Sequence, residues 1–105
     1  DIERGARQLL DFGSRQVTVT DGTEGAWLMT DREWVHSPAF SIDAVDTTGA
    51  GDVFSAAILH ANLQEMSAEQ SLRFASAAAA LKCCQPGNRE ALPTIQQVEE
   101  LMHSR

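Results

Sequence analysis

Residues 45–54 read Val45-Asp46-Thr47-Thr48-Gly49-Ala50-Gly51-Asp52-Val53-Phe54, and this stretch decides how the rest of the chain is interpreted. Two glycines flank one alanine, so the backbone can turn tightly and direct its N–H groups outward. Apolar residues continue from Val53 with helical spacing, which predicts that a helix begins at this turn. The free N–H groups and the positive end of that helix favour binding of an anion such as phosphate.

Asp52 stands in the first turn of this predicted helix, beside the expected phosphate site. A carboxylate there can accept the proton of a substrate hydroxyl whose oxygen attacks a phosphoryl group held by the glycines. The alternative is that Asp52 only caps the helix and that the glycines only form a turn. An isolated Gly-x-Gly-Asp would favour this alternative, whereas the flanking residues and a second glycine turn favour the chemical interpretation. The motif is not a phosphate-binding P-loop, because it has no Gly-Lys-Ser/Thr.

Upstream of the motif the pattern predicts one helix and then strands. Residues 2–12 have helical apolar spacing that ends at Gly13. Strands are predicted at 17–20, around 26–29 and at 33–36, and residues 40–46 alternate as an extended segment would. Downstream, residues 52–64 are apolar on most sides and predict a mostly buried helix.

Two further helices follow that one. Ser67 with Gln70, and Thr94 with Gln97, have the spacing of capping boxes, which mark helix starts. The run at 77–80 consists of alanines, so a neighbouring backbone or a flat ligand could approach closely. The sequence as a whole predicts an α/β fold, with helices packed on a sheet of three or four strands.

The stretch 46–52 resembles the C-terminal signature of the ribokinase-like (PfkB) carbohydrate kinases, and the resemblance extends from the strand at 17–20 to Pro93. It implies that residues 1–105 form the single C-terminal nucleotide-binding and catalytic portion of a longer, ribokinase-like kinase. The implied activity is transfer of the γ-phosphate of ATP, with Mg²⁺, to a sugar hydroxyl. Asp52 would be the catalytic base, and the backbone of Gly49, Ala50 and Gly51 would form the anion hole.

The resemblance also implies residues that bind ATP. The family's Thr-x-Gly-x-x-Gly turn holds the nucleotide near its ribose and phosphates, and here it corresponds to Thr20, Gly22, Thr23 and Gly25. Ser76 falls where the family lines the adenine pocket. Without the motif at 46–52, the turn at 20–25 would be interpreted as an ordinary connection between strands. The alanine-rich helix that carries Ser76 would be interpreted as close packing.

Many members of the family bind a monovalent cation beside the anion hole. The resemblance implies that potassium (K⁺) would be held by Asp46, Thr48, Lys82, Gln85 and Gly87, mostly through main-chain carbonyls. The positive side chain of Lys82 argues against this site. The alternative is that Asp46 simply hydrogen-bonds the turn.

The sequence does not determine which substrate is phosphorylated. Residues 74–89 resemble the bacterial sulfofructose kinases more than ribokinases, but a nucleoside or another non-sugar alcohol would serve the same residues. An alternative of another class is a non-catalytic nucleotide-binding or scaffold fragment that retains the motif.

Composition limits the partners. Eight Lys and Arg against fifteen Asp and Glu give a net charge of −7, which argues against nucleic acid or an anionic membrane surface. No apolar run reaches the roughly 18 residues of a membrane span. Cys83 and Cys84 are adjacent, so a disulfide between them is unfavourable and reduced thiols in a cytoplasmic protein are expected.

The chain begins at Asp1 without an initiator methionine or a signal sequence, and we expect it to be part of a longer chain. The missing N-terminal part would supply most of the sheet and the sugar pocket, so the isolated piece should be inactive or nearly so. Its uncovered sheet edge and core face should make it self-associate as a homo-oligomer.

Overall fold

Seven regular elements form the part of the chain that the structure, a computed structural model, describes: residues 1–40, 47, 49–84 and 93–103, with the side chain of Thr23 outside the description. Their order is helix, three strands, three helices, as the sequence predicts, and the bounds shift by only a few residues. The elements are α1 (Ile2–Asp11), β1 (Val17–Asp21), β2 (Gly25–Met29), β3 (Trp34–Ser37), α2 (Ala50–Leu63), α3 (Ala68–Cys83) and α4 (Ile95–His103), and a 3₁₀ turn (Gly22–Glu24) joins β1 to β2.

The strands form an antiparallel sheet in the order β1-β2-β3. Val17 pairs with Met29, and Ala26 pairs with Ser37, so β2 is central. Three strands agree with the predicted three or four. The extended segment predicted at 40–46 lies, except for Phe40, outside the described residues.

Helices cover both faces of the sheet. Ala26 and Leu28 alternate onto one face and join a core built mainly from α2, α3 and α4. Val17 and Met29 belong to a smaller cluster with Ala6 of α1 on the other side. The period-2 alternation of β2 therefore gives the domain three layers.

Helix α3 is the centre of the larger core. Ser67 Oγ accepts a hydrogen bond from the Gln70 N–H at 3.2 Å, and the Gln70 side chain accepts from the Ser67 N–H at 3.4 Å, which confirms the predicted capping box. Thr94 and Gln97 make the same exchange ahead of α4, at 3.1 and 2.9 Å. Such a cap stabilises a helix by about 1 kcal/mol. Alanines on α3 are buried and allow α2 to pack closely against it.

The prediction that the helix after the motif is mostly buried is wrong for this chain. Only Phe54, Ala57 and Ala61 of α2 are buried. Leu59 is 65% exposed and Leu63 is 79% exposed, one turn apart on one side of the helix. No element of the described part of the chain covers that side, although its apolar composition is that of a buried surface.

Candidate functional site

A cavity of about 490 Å³ opens between the sheet and the helices α2 and α3. This volume is within the range of small-molecule sites. The walls come from four places: the β1–β2 turn, the segment after β3, the amino end of α2 and one face of α3. The lining residues, most of them small or apolar, are Thr20, Gly22, Gly25, Ala26, Ala39, Phe40, Thr47, Ala50, Gly51, Phe54, Ser76, Ala79, Ala80 and Cys83.

The first wall is the turn at 20–25, and β3 holds it in place. The His36 Nε2–H donates to the carbonyl oxygen of Glu24 at 2.7 Å, and the His36 ring stacks on Trp27 with centroids 4.4 Å apart. Gly25 has φ +98°, and a Cβ there would clash with the carbonyl oxygen of Ser37. The turn is therefore fixed by contacts with its neighbouring strand.

The amino end of α2 forms the second wall. Gly49 is its N-cap residue, with a left-handed φ of +80° and no side-chain hydrogen bond to the helix. The Ala50 N–H donates to the Thr47 carbonyl at 3.2 Å, and the Val53 N–H donates to the Gly49 carbonyl at 3.0 Å. Among the described residues, the N–H groups of Gly51 and Asp52, which lie between these two, have no backbone acceptor outside the helix. The amino end of a helix, with its partial positive charge, is a favourable place for an anion.

Gly51 faces open space. A Cβ built on it meets nothing within 4 Å, and Gly51 lines the cavity. The chain itself therefore does not require glycine here for packing. The missing side chain leaves room for a bound group to approach the backbone N–H groups.

One face of α3 forms the third wall. Ser76, Ala79, Ala80 and Cys83 are spaced i, i+3, i+4 and i+7, so they lie on one side of the helix, and all four line the cavity. Two residues of the alanine run, Ala79 and Ala80, thus line the cavity, where their small side chains leave room for a ligand to approach. The Ser76 Oγ is buried and has no hydrogen-bond partner in the described part of the chain. A buried hydroxyl without a partner is costly, and a ligand in the cavity could supply one.

Asp52 lies beside this cavity and not in its wall. It follows Gly51 in the first turn of α2, its side chain is exposed, and it is not a lining residue. The carboxylate is therefore available to a substrate that approaches the helix end from solvent.

Comparison with known proteins shows the family of the chain. The model of the pfkB family of carbohydrate kinases matches residues 1–95. The chain belongs to this family. Among curated relatives, deoxyribokinase of Salmonella typhi is 38% identical over 101 residues, which are 96% of this chain and 33% of the relative. The chain thus spans about one third of the length of the curated relatives it matches.

Solved structures show the same fold. Ribokinase of Arabidopsis thaliana, complexed with ribose and ATP, superposes with a TM-score of 0.89 at 33% identity, covering 99% of this chain and 34% of that one. A ribokinase II candidate of Escherichia coli, in complex with ATP and Mg²⁺, superposes with a TM-score of 0.93 at 28% identity, covering 100% of this chain and 34% of that one. The predicted ribokinase-like fold is confirmed.

The structure brings together six of the nucleotide-site residues predicted for this pfkB family member. Gly49 lies next to the cavity wall without lining it, and the Thr23 side chain is not described. The closer resemblance to sulfofructose kinases stays a prediction. The six residues that meet in the cavity are Thr20, Gly22, Gly25, Ala50, Gly51 and Ser76.

Sequence reasoning missed the wall formed by Ala39 and Phe40. No motif marks these residues, which reach the cavity because β3 runs toward it. Phe40 also lies under the guanidinium of Arg73, 5.2 Å from the ring centroid. Arg73 in turn donates two hydrogen bonds to the Met102 carbonyl, at 2.7 and 3.0 Å, so it links this wall to the end of α4.

Lys82 is the only predicted cation ligand that the structure describes; Asp46, Thr48, Gln85 and Gly87 lie outside the described residues. Its side chain is buried, with 1% of its surface exposed. Among the residues described, His, Cys, Asp and Glu nowhere gather in threes that could hold a metal ion. Cys83 and Cys84 are not joined by a disulfide in the described part of the chain. In that same part of the chain, every helix is too short or too polar to cross a membrane.

Proposed function

We propose that this chain is the nucleotide-binding and phosphoryl-transfer portion of an ATP-dependent carbohydrate kinase, which moves the γ-phosphate to a sugar hydroxyl. One observation carries the proposal: a single cavity connects the uncapped amino end of α2 with the small-residue face of α3. An anion site next to a flat apolar wall suits a ligand with phosphates at one end and a planar base at the other.

The phosphate end lies at Gly49, Ala50 and Gly51. The N–H groups of this turn and the positive end of α2 stabilise the negative charge that gathers on the phosphoryl oxygens during transfer. Because these donors are fixed by the helix, they need no reorganisation when the charge develops. The open space at Gly51 supports a close approach of the phosphate to the backbone.

The base end lies against α3. Ala79 and Ala80 provide a surface of small side chains, and the Ser76 hydroxyl, which has no partner among the described residues, is available to a nitrogen or oxygen of the base. Thr20 and Gly22 line the cavity between the two ends, where the ribose and phosphates would lie. Thr23 and Gly25 belong to the same turn, Gly25 with a packing role of its own.

Mg²⁺ would enter with ATP. This ion is usually held by one or two carboxylates together with substrate phosphates and water, so a site with few protein ligands is compatible with it. The candidate Escherichia coli ribokinase II solved with ATP and Mg²⁺ supports the same choice of ligands. Bound Mg²⁺ would offset the charge on the phosphates.

Asp52 acts as the general base in this proposal. As the sugar hydroxyl oxygen forms its bond to the γ-phosphorus and the bond to the β-phosphate oxygen breaks, the hydroxyl proton passes to the Asp52 carboxylate. Its exposed position beside Gly51 leaves it open to a sugar that approaches from outside the nucleotide cavity. The complex of the Arabidopsis ribokinase with ribose and ATP supports a sugar as the acceptor.

Potassium is an accessory feature of the proposal. Its ligands would be Asp46, Thr48 and the carbonyls of Lys82, Gln85 and Gly87. The ammonium group of Lys82 would repel a second cation close to Gly49, so the proposal does not require K⁺ for nucleotide binding.

Calorimetric titration of Mg–ATP into this chain and into Asp52→Asn tests the proposal. We expect saturable binding to both, with affinities within about threefold, because Asn keeps the shape of Asp and the donors are backbone groups. In the longer kinase that carries this segment, the same substitution should lower kcat by about 10²–10⁴-fold through loss of the base. Absence of Mg–ATP binding to the wild-type chain, or full activity of the variant, would refute the proposal.

The proposal also predicts that this chain, when isolated, associates with copies of itself. Leu59 and Leu63 form an exposed apolar patch on α2, which we propose is covered by the remaining two thirds of the kinase. In this chain alone the patch should drive self-association. Light scattering coupled to size-exclusion chromatography should detect oligomers, and the double substitution Leu59→Lys, Leu63→Lys should reduce them. A purely monomeric wild-type chain would contradict this prediction.

A further inference from the structure

His36 contacts both β2 and the turn before it, although its own side chain is exposed. It lies on β3 directly opposite Trp27 of β2. The imidazole stacks on the Trp27 indole, with centroids 4.4 Å apart and an angle of 28° between the ring planes. Its Nε2 lies 2.7 Å from the carbonyl oxygen of Glu24. Because a carbonyl oxygen can only accept, Nε2 carries a hydrogen in this contact and donates it.

The peptide group between Glu24 and Gly25 links His36 to the cavity. Its carbonyl oxygen accepts from His36, and its N–H, which belongs to Gly25, donates to the carbonyl oxygen of Gly22. Gly22 lines the cavity. Since a peptide group is planar, a contact that fixes the direction of its carbonyl also fixes the direction of its N–H. The two hydrogen bonds also polarise each other through the shared group, which strengthens both.

The two ends of this turn differ in how they are packed. A Cβ on Gly25 would clash with the Ser37 carbonyl oxygen, so β3 holds this end directly. At Gly22, which has φ +43°, a Cβ would meet nothing within 4 Å in the described part of the chain. The Gly22 end is tied to the packed end by the hydrogen bond from the Gly25 N–H. The orientation of that one peptide group therefore influences where Gly22 lies in the cavity wall.

We propose that His36 is a positioning residue for nucleotide binding, which holds the Glu24 carbonyl and thereby keeps Gly22 in the cavity wall before the ligand arrives. This inference rests on the proposed function, because it takes the cavity to be the nucleotide site. His36 does not line the cavity, so it acts through the turn and not through contact with the ligand. A turn that is already ordered loses less conformational entropy on binding, and the affinity is higher for that reason.

Three variants separate the hydrogen bond from the stacking and from general stability. His36→Phe keeps a ring that can stack on Trp27 and removes the donor. His36→Gln removes the ring and keeps an N–H donor, at an Nε2 that is the same number of bonds from Cα as in histidine. Thr30→Val is the matched control at the other end of the same hairpin. There, Thr30 Oγ accepts hydrogen bonds from the N–H groups of Arg32 and Glu33, at 3.2 and 3.1 Å.

Mg–ATP is titrated calorimetrically into the wild type and each variant, and urea unfolding gives the stability of each. We expect His36→Phe to weaken Mg–ATP about fivefold, the size that loss of one hydrogen bond predicts. His36→Gln and Thr30→Val should stay within about twofold of the wild type, although Thr30→Val also loses stability. In the ligand-free chain, amide hydrogen exchange of the Gly25 N–H should become faster in His36→Phe and not in Thr30→Val.

The outcomes separate the inference from the function on which it rests. Unchanged Mg–ATP affinity in His36→Phe overturns the inference and leaves the proposed function standing. Equal losses of affinity in His36→Phe and Thr30→Val also overturn it, because they would show an effect of general stability. A loss in His36→Gln as large as in His36→Phe overturns it as well, since the donor would not be what holds the turn. Absence of Mg–ATP binding to the wild type overturns the proposed function and this inference together. If His36→Phe does not fold, His36→Leu replaces it under the same criteria.

Discussion

Two glycine turns border the same cavity, and they contain glycine for different reasons. Gly25 has φ +98°, and a Cβ there would clash with the Ser37 carbonyl and come within 3.0 Å of the Ala39 nitrogen. Gly51 has helical backbone angles, and a Cβ there would meet nothing within 4 Å. One glycine is needed by the fold, whereas the other is not.

The structure therefore distinguishes a glycine that the fold needs from one that packing does not explain, which the two sequence motifs alone do not. Gly25 allows β2 to begin against the backbone that follows β3, so its role can be explained without a ligand. Gly51 lowers the stability of α2, because glycine within a helix costs about 1 kcal/mol relative to alanine. Among the described residues a Cβ at Gly51 would meet nothing, so packing does not explain the glycine, and a ligand that approaches this turn, as proposed above, would.

The largest expected effect is a loss of folding stability on substitution of Gly25. Gly25→Ala should destabilise the chain by about 3 kcal/mol or more, since left-handed strain adds to a backbone clash that no side-chain movement can relieve. Urea unfolding followed by circular dichroism measures this.

Gly13→Ala is the matched control for Gly25→Ala. Gly13 also has a positive φ, +113°, but a Cβ there meets nothing within 4 Å, so only the strain of about 1–2 kcal/mol applies. Equal losses of stability in the two variants would show that the clash at Gly25 is absent in solution.

Substitution of Gly51 should affect ligand binding and not lower the stability of the fold. Gly51→Ala is expected to raise the free energy of unfolding by up to about 1 kcal/mol while weakening Mg–ATP about tenfold, because the new methyl group occupies the approach to the N–H groups. Gly51→Val should abolish detectable binding. Thermal unfolding and calorimetry on the same samples give both quantities.

A stability gain without any loss of affinity at Gly51 would mean that the phosphate does not approach this turn. A loss of stability and affinity together would mean that Gly51, like Gly25, serves the fold. Either result would remove the contrast between the two turns.

The features that could be predicted from the sequence depend on residues that lie close together along the chain. The capping boxes at Ser67 and Thr94 depend on residues three apart, and both form as expected. The face of α3 that lines the cavity follows from helical spacing. These features need no knowledge of what the segments pack against.

The remaining features depend on contacts distant in sequence. The burial of Lys82 runs against the usual exposure of lysine and results from how α3 lies beside Gly49. The exposure of Leu59 depends on what covers α2, which an apolar sequence does not specify. Phe40 enters the cavity wall through the path of the chain after β3, and no local pattern marks it.

The smallest expected effect concerns the base end of the cavity, where Ser76 can be compared with Ser37. Both hydroxyls are buried and lack a hydrogen-bond partner among the residues that the structure describes, but only Ser76 lines the cavity. Ser76→Ala and Ser37→Ala should each stabilise the chain by up to about 1 kcal/mol, because each removes an unsatisfied polar group. Only Ser76→Ala should also weaken adenosine, by a few fold, since the hydroxyl would lose a hydrogen bond to the base. Parallel unfolding and calorimetric titrations decide this: equal adenosine affinities in the two variants would mean that Ser76, like Ser37, is an unsatisfied core residue with no part in recognition of the base.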